Sequence, residues 1–438
     1  MKSTFLVVAL CAAVPAAAQD LPTAWRAALA VDPSMASALA GRDAAAENIH
    51  IARARLQPLV NLQSTTQELD QSTQQSGFFG GRTEFQGRTQ STQLTARMGM
   101  YRPRDWIGVD VAIHQAAYGG HRLVAIQSEL WSRTADAWID VLAAQAKREH
   151  FSRALETATN LALLEEARFR AGEGTREAVA EASAQRASSR AQWAEVSLDL
   201  KAKLLSFNLL TGLSVSGIDD QKLPLKPPPL AESEVELLDR ILLINPALAA
   251  AQATRSISER RLAQSGADHW PTLDLIASVN QARNDSTNTL GTRYRNYQFG
   301  VQLNVPLLAG GGVLATQRQA AATLAGASAD RELLLQRLRV QFNTDWNAQA
   351  GLRERVQGTL DLVQAALEQR RAVEMGMRRG TRSLADLGTL NQMLVRREGD
   401  AVEMVAQLLK AQSRLLSLLP ADDPSWEAWA RGLKSSPG

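Results

Sequence analysis

A pattern of punctuation occurs twice along this chain, the second copy about two hundred residues after the first. Asp32-Pro33 recurs as Asn245-Pro246, Arg42 as Arg255 and Pro58 as Pro271, each pair 213 positions apart. Further on, Gln115-Ala116 matches Gln319-Ala320 at an offset of 204, while Trp138 matches Trp346 and Gly172 matches Gly380 at 208. The offset drifts as loop insertions would make it drift, and the order never breaks. A duplicated unit commonly cannot bury its apolar face alone, so the copies are expected to complete one another. The route to function therefore runs through architecture rather than through a catalytic cleft.

Each copy has the same internal order. Leu21 to Leu56 reads as helix, punctuated by Pro33 and ended by Pro58. Val60, Leu62, Ser64 and Thr66 then alternate with polar residues as a strand, residues 67 to 91 read as an exposed polar loop, and Leu94, Ala96, Met98 and Met100 alternate as a second strand. A proline-free helical pattern from Ile107 to Ala171 would span roughly 100 Å at about 1.5 Å per residue. Gly172-Glu173-Gly174 interrupts it, and a second long helix runs from Thr175 to Leu210. The second copy offers helix 232 to 268, a strand from Leu273 to Val279, a polar loop from Asn284 to Asn296 and a strand from Phe299 to Val305. Helices 313 to 379 and 382 to 419 then pair around Gly380. Pro58, Pro271, Pro306, Gly310 and Gly311 mark the strand–helix corners, and Gly172, Gly174 and Gly380 mark the helix-hairpin turns. The predicted boundaries are a signal peptide over 1–18, a first repeat over 19–222, a Pro-rich linker over 223–231, a second repeat over 232–420 and a C-terminal tail over 421–438. The tail is short and is expected to be loosely held.

The N-terminal prediction rests on Lys2, the apolar run from Phe5 to Val14 and the small residues Ala16-Ala17-Ala18 at a cleavage position. The only cysteine, Cys11, lies inside this segment, and Leu10 precedes it where a lipoprotein signal has a small residue. Thiol, disulfide and cysteine-metal chemistry are therefore not expected after cleavage. No other run reaches the ~18 apolar residues of a membrane-spanning helix. The net charge of +3 comes from interleaved acidic and basic residues, so no nucleic-acid partner is expected. His50, His114, His121, His150 and His269 have no metal-ligand spacing on one helix face. The glycine triplet 310–312 lacks the Lys-Ser/Thr of a phosphate loop. No catalytic, cofactor or metal site is predicted, and the chain does not read as an enzyme.

The long helices carry coiled-coil spacing. Leu387, Leu394, Ala401, Leu408 and Leu415 fall every seven residues, with Leu390, Met404, Ala411 and Leu418 three after four of them and Arg397 as the exception. Trp193, Leu200 and Phe207 also step by seven, as do Trp131 and Trp138. The strands pose a different problem. Each is read as about ten residues with one apolar and one polar face, the length and alternation of a membrane-spanning strand. Four strands cannot close a barrel, for which about eight is the practical minimum, and an open edge cannot sit in lipid. Three chains would supply twelve strands. The fold class expected is mainly α with membrane β: a long coiled-coil helical barrel plus a shared 12-stranded membrane β-barrel in a trimer.

On these features the chain resembles the TolC family of outer-membrane efflux and secretion channels. The resemblance covers nearly the whole chain after the signal segment. It is carried by the duplicated order, by Asp32-Pro33 and Asn245-Pro246, and by Val305-Pro306-Leu307-Leu308 with Gly310-Gly311. The hairpins Phe169-Arg170-Ala171-Gly172-Glu173-Gly174-Thr175-Arg176 and Gly380-Thr381-Arg382-Ser383-Leu384-Ala385-Asp386-Leu387 complete it. The resemblance implies a homotrimer in outer-membrane lipid that extends into the periplasm. It also implies a periplasmic adaptor (membrane fusion) protein and an inner-membrane ABC transporter or proton-driven pump as partners. The absent lipidation cysteine and the Gly-Glu-Gly-Thr-Arg hairpin look more like the type I protein-secretion branch; the alternatives are a multidrug or small-molecule efflux channel and a soluble periplasmic coiled-coil scaffold. The resemblance further implies a closed periplasmic gate at the hairpin tips. There Asp386 would form an acidic ring and Arg382 would latch helices together, with Glu177 as its partner in the other copy or in a neighbouring chain, and Thr175 and Arg176 beside them. Ala178, Thr389 and Met377 depart from the family pattern at the tips, which implies a thinner acidic ring. Apart from a gate, Ser383 and Asp386 also fit a capping pair at the start of the last helix.

Overall fold

The computed structural model describes residues 20–74, 82–218, 221–286, 292–379, 381–382 and 384–435. The signal-peptide segment, Gly380 and Ser383 lie outside them. The elements of the first copy are α1 (Leu21–Val31), α2 (Pro33–Ala54), β1 (Leu59–Gln74), β2 (Arg82–Tyr101), α3 (Pro103–Arg170) and α4 (Arg176–Thr211). Those of the second are α5 (Glu234–Ile244), α6 (Pro246–Gly266), β3 (Thr272–Ser286), β4 (Thr292–Asn304), α7 (Gly312–Arg378) and α8 (Leu384–Leu416), followed by α9 (Pro424–Ser435). The chain forms two compact units, and each draws on both copies. One takes residues up to Leu39, Arg122–Leu248 and those from Leu335 onward; the other takes Ala40–His121 and Ala249–Leu334.

In the all-helical unit the repeated Asp/Asn-Pro has a local cause. Each predicted single helix is two, broken at Asp32 and at Asn245, whose backbones take nearly the same extended shape (φ −64°, ψ 123° and φ −59°, ψ 123°). The proline that follows starts the next helix, where its missing N–H costs nothing. The Asp32 carboxylate accepts from Ser34 N at 2.7 Å, and the Asn245 amide oxygen accepts from Leu248 N at 2.9 Å. Arg133 also pairs with Asp32 at 2.5 Å, whereas Asn245 donates to the Leu418 carbonyl at 2.7 Å. Burial opposes ionisation of Asp32, but the bonds from Ser34 and the nearby Arg133 outweigh it and hold the carboxyl below its usual pKa.

The heptad stripe of α8 is buried as predicted at Leu390, Leu394, Ala401, Leu408, Ala411 and Leu415, and Arg397 is exposed. From Ala401 onward the stripe widens to take in Val402, Val405, Leu409 and Leu416. A second covering layer accounts for the widening. The tail expected to be loose instead forms α9, and it buries Trp426, Trp429, Ala430 and Leu433. Trp131 meets Trp25 and Trp426 edge-on at centroid distances of 5.1 and 4.7 Å. Three aromatic side chains distant in sequence outweigh the end-fraying expected of a terminus. Along the flank of α3 and α8, the ion pairs Lys410–Asp140 (2.5 Å) and Lys147–Glu403 (2.5 Å) and the contact of His150 Nδ1 with Glu398 (2.9 Å) form an antiparallel ladder of polar pairs between the two copies.

The other unit holds one antiparallel sheet of order β1-β2-β3-β4. Its register keeps the apolar residues on one face: Val60 lies opposite Ala96, Ala96 opposite Ala277, and Ala277 opposite Phe299. Leu62, Leu94, Val279, Leu275 and Val301 share that face, and Phe299 is 76% and Val301 59% exposed. Asn61, Thr95, Ser278 and Gln298 line the opposite face. The strands are longer than predicted, at 16, 20, 15 and 13 residues. The segments 67–91 and 284–296, read as loops, are mostly paired strand, with 75–81 and 287–291 outside the described residues. Their Gln/Ser/Thr composition hid them: with no apolar face there is no alternation to read, and backbone pairing carries the ladder on. No helix among the described residues is long and apolar enough to cross a membrane.

Candidate functional site

The first helix-hairpin turn is dictated by its glycines. Gly172 sits at φ +79°, and the end of α3 closes with Glu173 N donating to Arg168 O (2.9 Å) and Gly172 N to Phe169 O (3.0 Å). Gly174 is required for a different reason, since a Cβ there would come within 2.9 Å of the Phe169 backbone nitrogen. Thr175 then caps α4 by accepting from Ala178 N at 3.2 Å, and Glu177 lies in that helix's first turn, where its charge suits the helix dipole. Arg176 is exposed. At the second turn Thr381 N donates to Gly376 O at 2.9 Å, and its hydroxyl donates to the same carbonyl at 3.0 Å. Asp386 lies exposed in the first turn of α8.

The two turns border one cleft. A cavity of about 480 Å³ is lined by Glu165, Arg168, Glu173, Gly174, Thr175 and Glu181 from the first hairpin, and by Met377, Arg382, Gly388 and Thr389 from the second. Thus Thr175 and Arg382 are brought together, while Arg176, Glu177 and Asp386 do not line the cavity. Among the described residues Glu177 and Arg382 form no ion pair within the chain, although Arg382 shares the cleft with three glutamates. Glu165, which is buried, and Arg168 are paired at 3.6 Å. The acidic groups of this cleft therefore come from the first hairpin. Sequence reasoning missed Glu165, Glu173 and Glu181, yet Glu165 and Glu181 stand eight residues on either side of Glu173, at equal height once the hairpin folds. At the strand–helix corners Pro58 and Pro271 directly precede β1 and β3, Pro306 follows β4, and Gly310 and Gly311 take φ +57° and +77° before α7.

A second charged cluster went unread in the sequence. On the polar face of the sheet Asp274 (2% exposed) accepts from Arg102 at 2.6 Å and pairs with Arg97, while Arg102 also reaches Asp105 at 3.5 Å. Arg97 belongs to the first copy and Asp274 to the second, so this cluster joins β2 to β3 across the duplication.

Four strands with an uncovered apolar face, continuous with long helices that turn back at glycine-centred hairpins, define a subunit of an outer-membrane channel. The chain belongs to the outer membrane efflux protein family, matched over residues 25–213 and 237–420. The two matched segments correspond to the two copies. The chain is 26% identical to the outer membrane protein TolC of Vibrio cholerae over 383 residues, covering 84% of this chain and 83% of that one. It is 27% identical to the proteases secretion protein PrtF of Dickeya chrysanthemi over 349 residues, 77% and 75% of the two chains. Among solved structures, the outer membrane protein VceC of Vibrio cholerae superposes with a TM-score of 0.73 at 18% identity, covering 91% of this chain and 96% of that one. The protein is thus an outer-membrane channel subunit and not an enzyme, which sets aside the soluble-scaffold alternative.

Proposed function

We propose that three copies of this chain form one passive export duct, in which twelve strands close a barrel in the outer membrane and the helices line a periplasmic tunnel. The observation that carries the reading is the sheet itself. Among the described residues both of its edge strands, β1 and β4, pair on one side only, and its apolar face is uncovered. Unpaired backbone groups in lipid cost several kcal/mol each, so the edges must be satisfied by other copies. On this reading the repeats span 19–222 and 232–420, joined by the linker 223–231 and followed by 421–438. Energy comes from an inner-membrane ABC transporter reached through a periplasmic adaptor, and the cargo is a secreted polypeptide. The relative PrtF, named for protease secretion and matched over most of both chains, favours that cargo. The family description favours small-molecule efflux as the second reading.

On the same reading the gate lies at the hairpin tips. Three copies bring Asp386 and the cleft glutamates around one axis, and Arg382 latches to a carboxylate of a neighbouring chain. Deletion of the gene should abolish export of a polypeptide substrate of a co-encoded ABC transporter and leave drug susceptibility unchanged; the opposite outcome selects the efflux reading. In planar bilayers Arg382→Ala should raise the open conductance and Asp386→Asn should weaken block by divalent cations. Unchanged values in both variants would remove the gate from these tips.

A further inference from the structure

The two edges of the sheet carry opposite charge beyond the apolar band, offset by four residues within one copy. Even-numbered residues of β1 share the apolar face with Val60 and Leu62, and odd-numbered residues of β4 share it with Phe299 and Val301. Following that face past the apolar band, β1 presents Glu68 and Asp70, and β4 presents Arg295 and Arg293. Glu68 and Asp70, Arg293 and Arg295 are all exposed. Among the described residues Arg295 reaches uncharged partners, the Tyr297 hydroxyl at 3.5 Å and Gln281 Oε1 at 3.4 Å. Arg293 stands directly opposite Arg283 in the ladder, and both are exposed. On β1, among the described residues Asp70 accepts from the neutral Gln86 side chain at 3.2 Å. Glu68 lies opposite Arg88, with no ion pair between them among the described residues.

Barrel geometry decides which of these groups can meet. Strands tilted about 35–45° and spaced about 4.8 Å apart, with a rise of about 3.3 Å per residue, are displaced along their own direction by roughly four to six residues over four strands. Keeping the apolar faces aligned requires an even number. Without displacement, Phe299 would lie level with Val60 of the next copy, through the register Val60–Ala96–Ala277–Phe299. A stagger of four in one direction sets Phe299 opposite Ser64 and makes the strand ends flush, Asn304 opposite Leu59. In the other direction Phe299 would face residue 56, ahead of the strand, and most of the upper half of β1 would have no partner.

We propose that the basic edge of β4 is keyed to the acidic edge of β1 of a second copy, with Arg295 pairing with Glu68 and Arg293 with Asp70, and that this pairing sets the stagger at which the barrel closes. The inference rests on the trimeric duct proposed above and adds the recognition chemistry between its copies. A stagger of six would still offer Arg295 a carboxylate, that of Asp70.

The test uses the full chain, whose single cysteine is Cys11. The double variants Glu68→Cys/Arg295→Cys and Asp70→Cys/Arg293→Cys should give disulfide-linked trimers on non-reducing gels, and Val60→Cys/Arg295→Cys, matched to the opposite stagger, should not. Arg295→Glu should lower the fraction of heat-resistant trimer about fivefold, the scale of one exposed ion pair, and Glu68→Arg in the same chain should restore it. Cross-linking only in the Val60 variant, or trimers that show neither predicted cross-link, would overturn the keying and leave the trimer standing. An Arg295→Glu variant as heat-resistant as the parent would also overturn it. An unsubstituted chain that is monomeric in the outer membrane would instead refute the trimeric duct.

Discussion

Gln412 offers the most direct test of how the C-terminal segment is held. It lies on α8 with no exposed surface, its Nε2 donating to the Pro228 carbonyl at 2.9 Å and its Oε1 accepting from Trp429 Nε1 at 3.1 Å. One side chain thus ties the Pro-rich linker and α9 to the second copy's last long helix. Gln412→Ala removes both bonds, leaves the indole N–H of a buried tryptophan without a partner and opens a space where the amide stood. The orphaned donor costs about 1–3 kcal/mol and the second bond about 1 kcal/mol. Partial collapse around the lost volume adds about 1 kcal/mol, for a total of about 3–5 kcal/mol. Gln412→Met keeps the volume and loses only the bonds, so it should cost about 2–4 kcal/mol. Guanidinium unfolding of the detergent-solubilised protein, followed by tryptophan fluorescence, reads both values. Limited proteolysis should show earlier cleavage near Pro420 in both variants. A Met variant as stable as the parent would refute the hydrogen-bond reasoning. An Ala variant within about 0.5 kcal/mol of the parent, typical of a plain surface change, would refute the tie altogether.

Burial pushes the Asp136 carboxyl up from 3.8 to about 6, against the pull of Lys410 and Arg414, and Asp140 adds to the rise. The folded state therefore keeps a proton that the unfolded chain releases over that window, and stability falls as pH rises through it by up to about 3 kcal/mol. Asp136→Asn should accordingly raise the melting temperature at pH 7.5 and leave it unchanged near pH 4; no rise at pH 7.5 would contradict this. Asp274→Ala leaves Arg97 and Arg102 together at the base of the sheet without their carboxylate. Breaking that cluster should cost about 2–4 kcal/mol, seen as trimers that dissociate at lower temperature on gels. At the first hairpin Gly174→Ala should destabilise more than Gly172→Ala, because a new Cβ meets backbone at 2.9 Å at Gly174 and has nothing within 4 Å at Gly172. The Gly172 variant bears only the left-handed strain of about 1 kcal/mol, so the reverse order in thermal melts would sink the steric argument.

The legible parts of this fold were those with a short-range physical signature. The Asp32-Pro33 and Asn245-Pro246 breaks are local capping chemistry, the α8 stripe is a seven-residue repeat, and the apolar stretches of the four strands alternate with period two. Each depends on neighbours within one or two turns of the chain, so the duplicated order, the hairpins and the membrane strands could be placed before any coordinates. Strand length was not legible beyond the apolar band, because a polar strand and a polar loop have the same composition.

The candidate site divides along the same line. Gly172 and Gly174 were readable as a helix-hairpin turn, while Thr175 and Arg382 were singled out through the family resemblance. The acidic lining from Glu165, Glu173 and Glu181 was not, since it needs the heights of two antiparallel helices. The Arg97–Asp274–Arg102 cluster joins residues 177 and 172 positions apart in sequence, and the Trp25–Trp131–Trp426 contact and the Gln412 tie likewise bring distant segments together. By itself, then, the sequence determined the repeat, its element order and its need for partners, because these follow from periodicity and unsatisfied surface. Only the tertiary structure decided which charges meet, how long the sheet runs and that the tail is packed, because these depend on register between segments that no local pattern records.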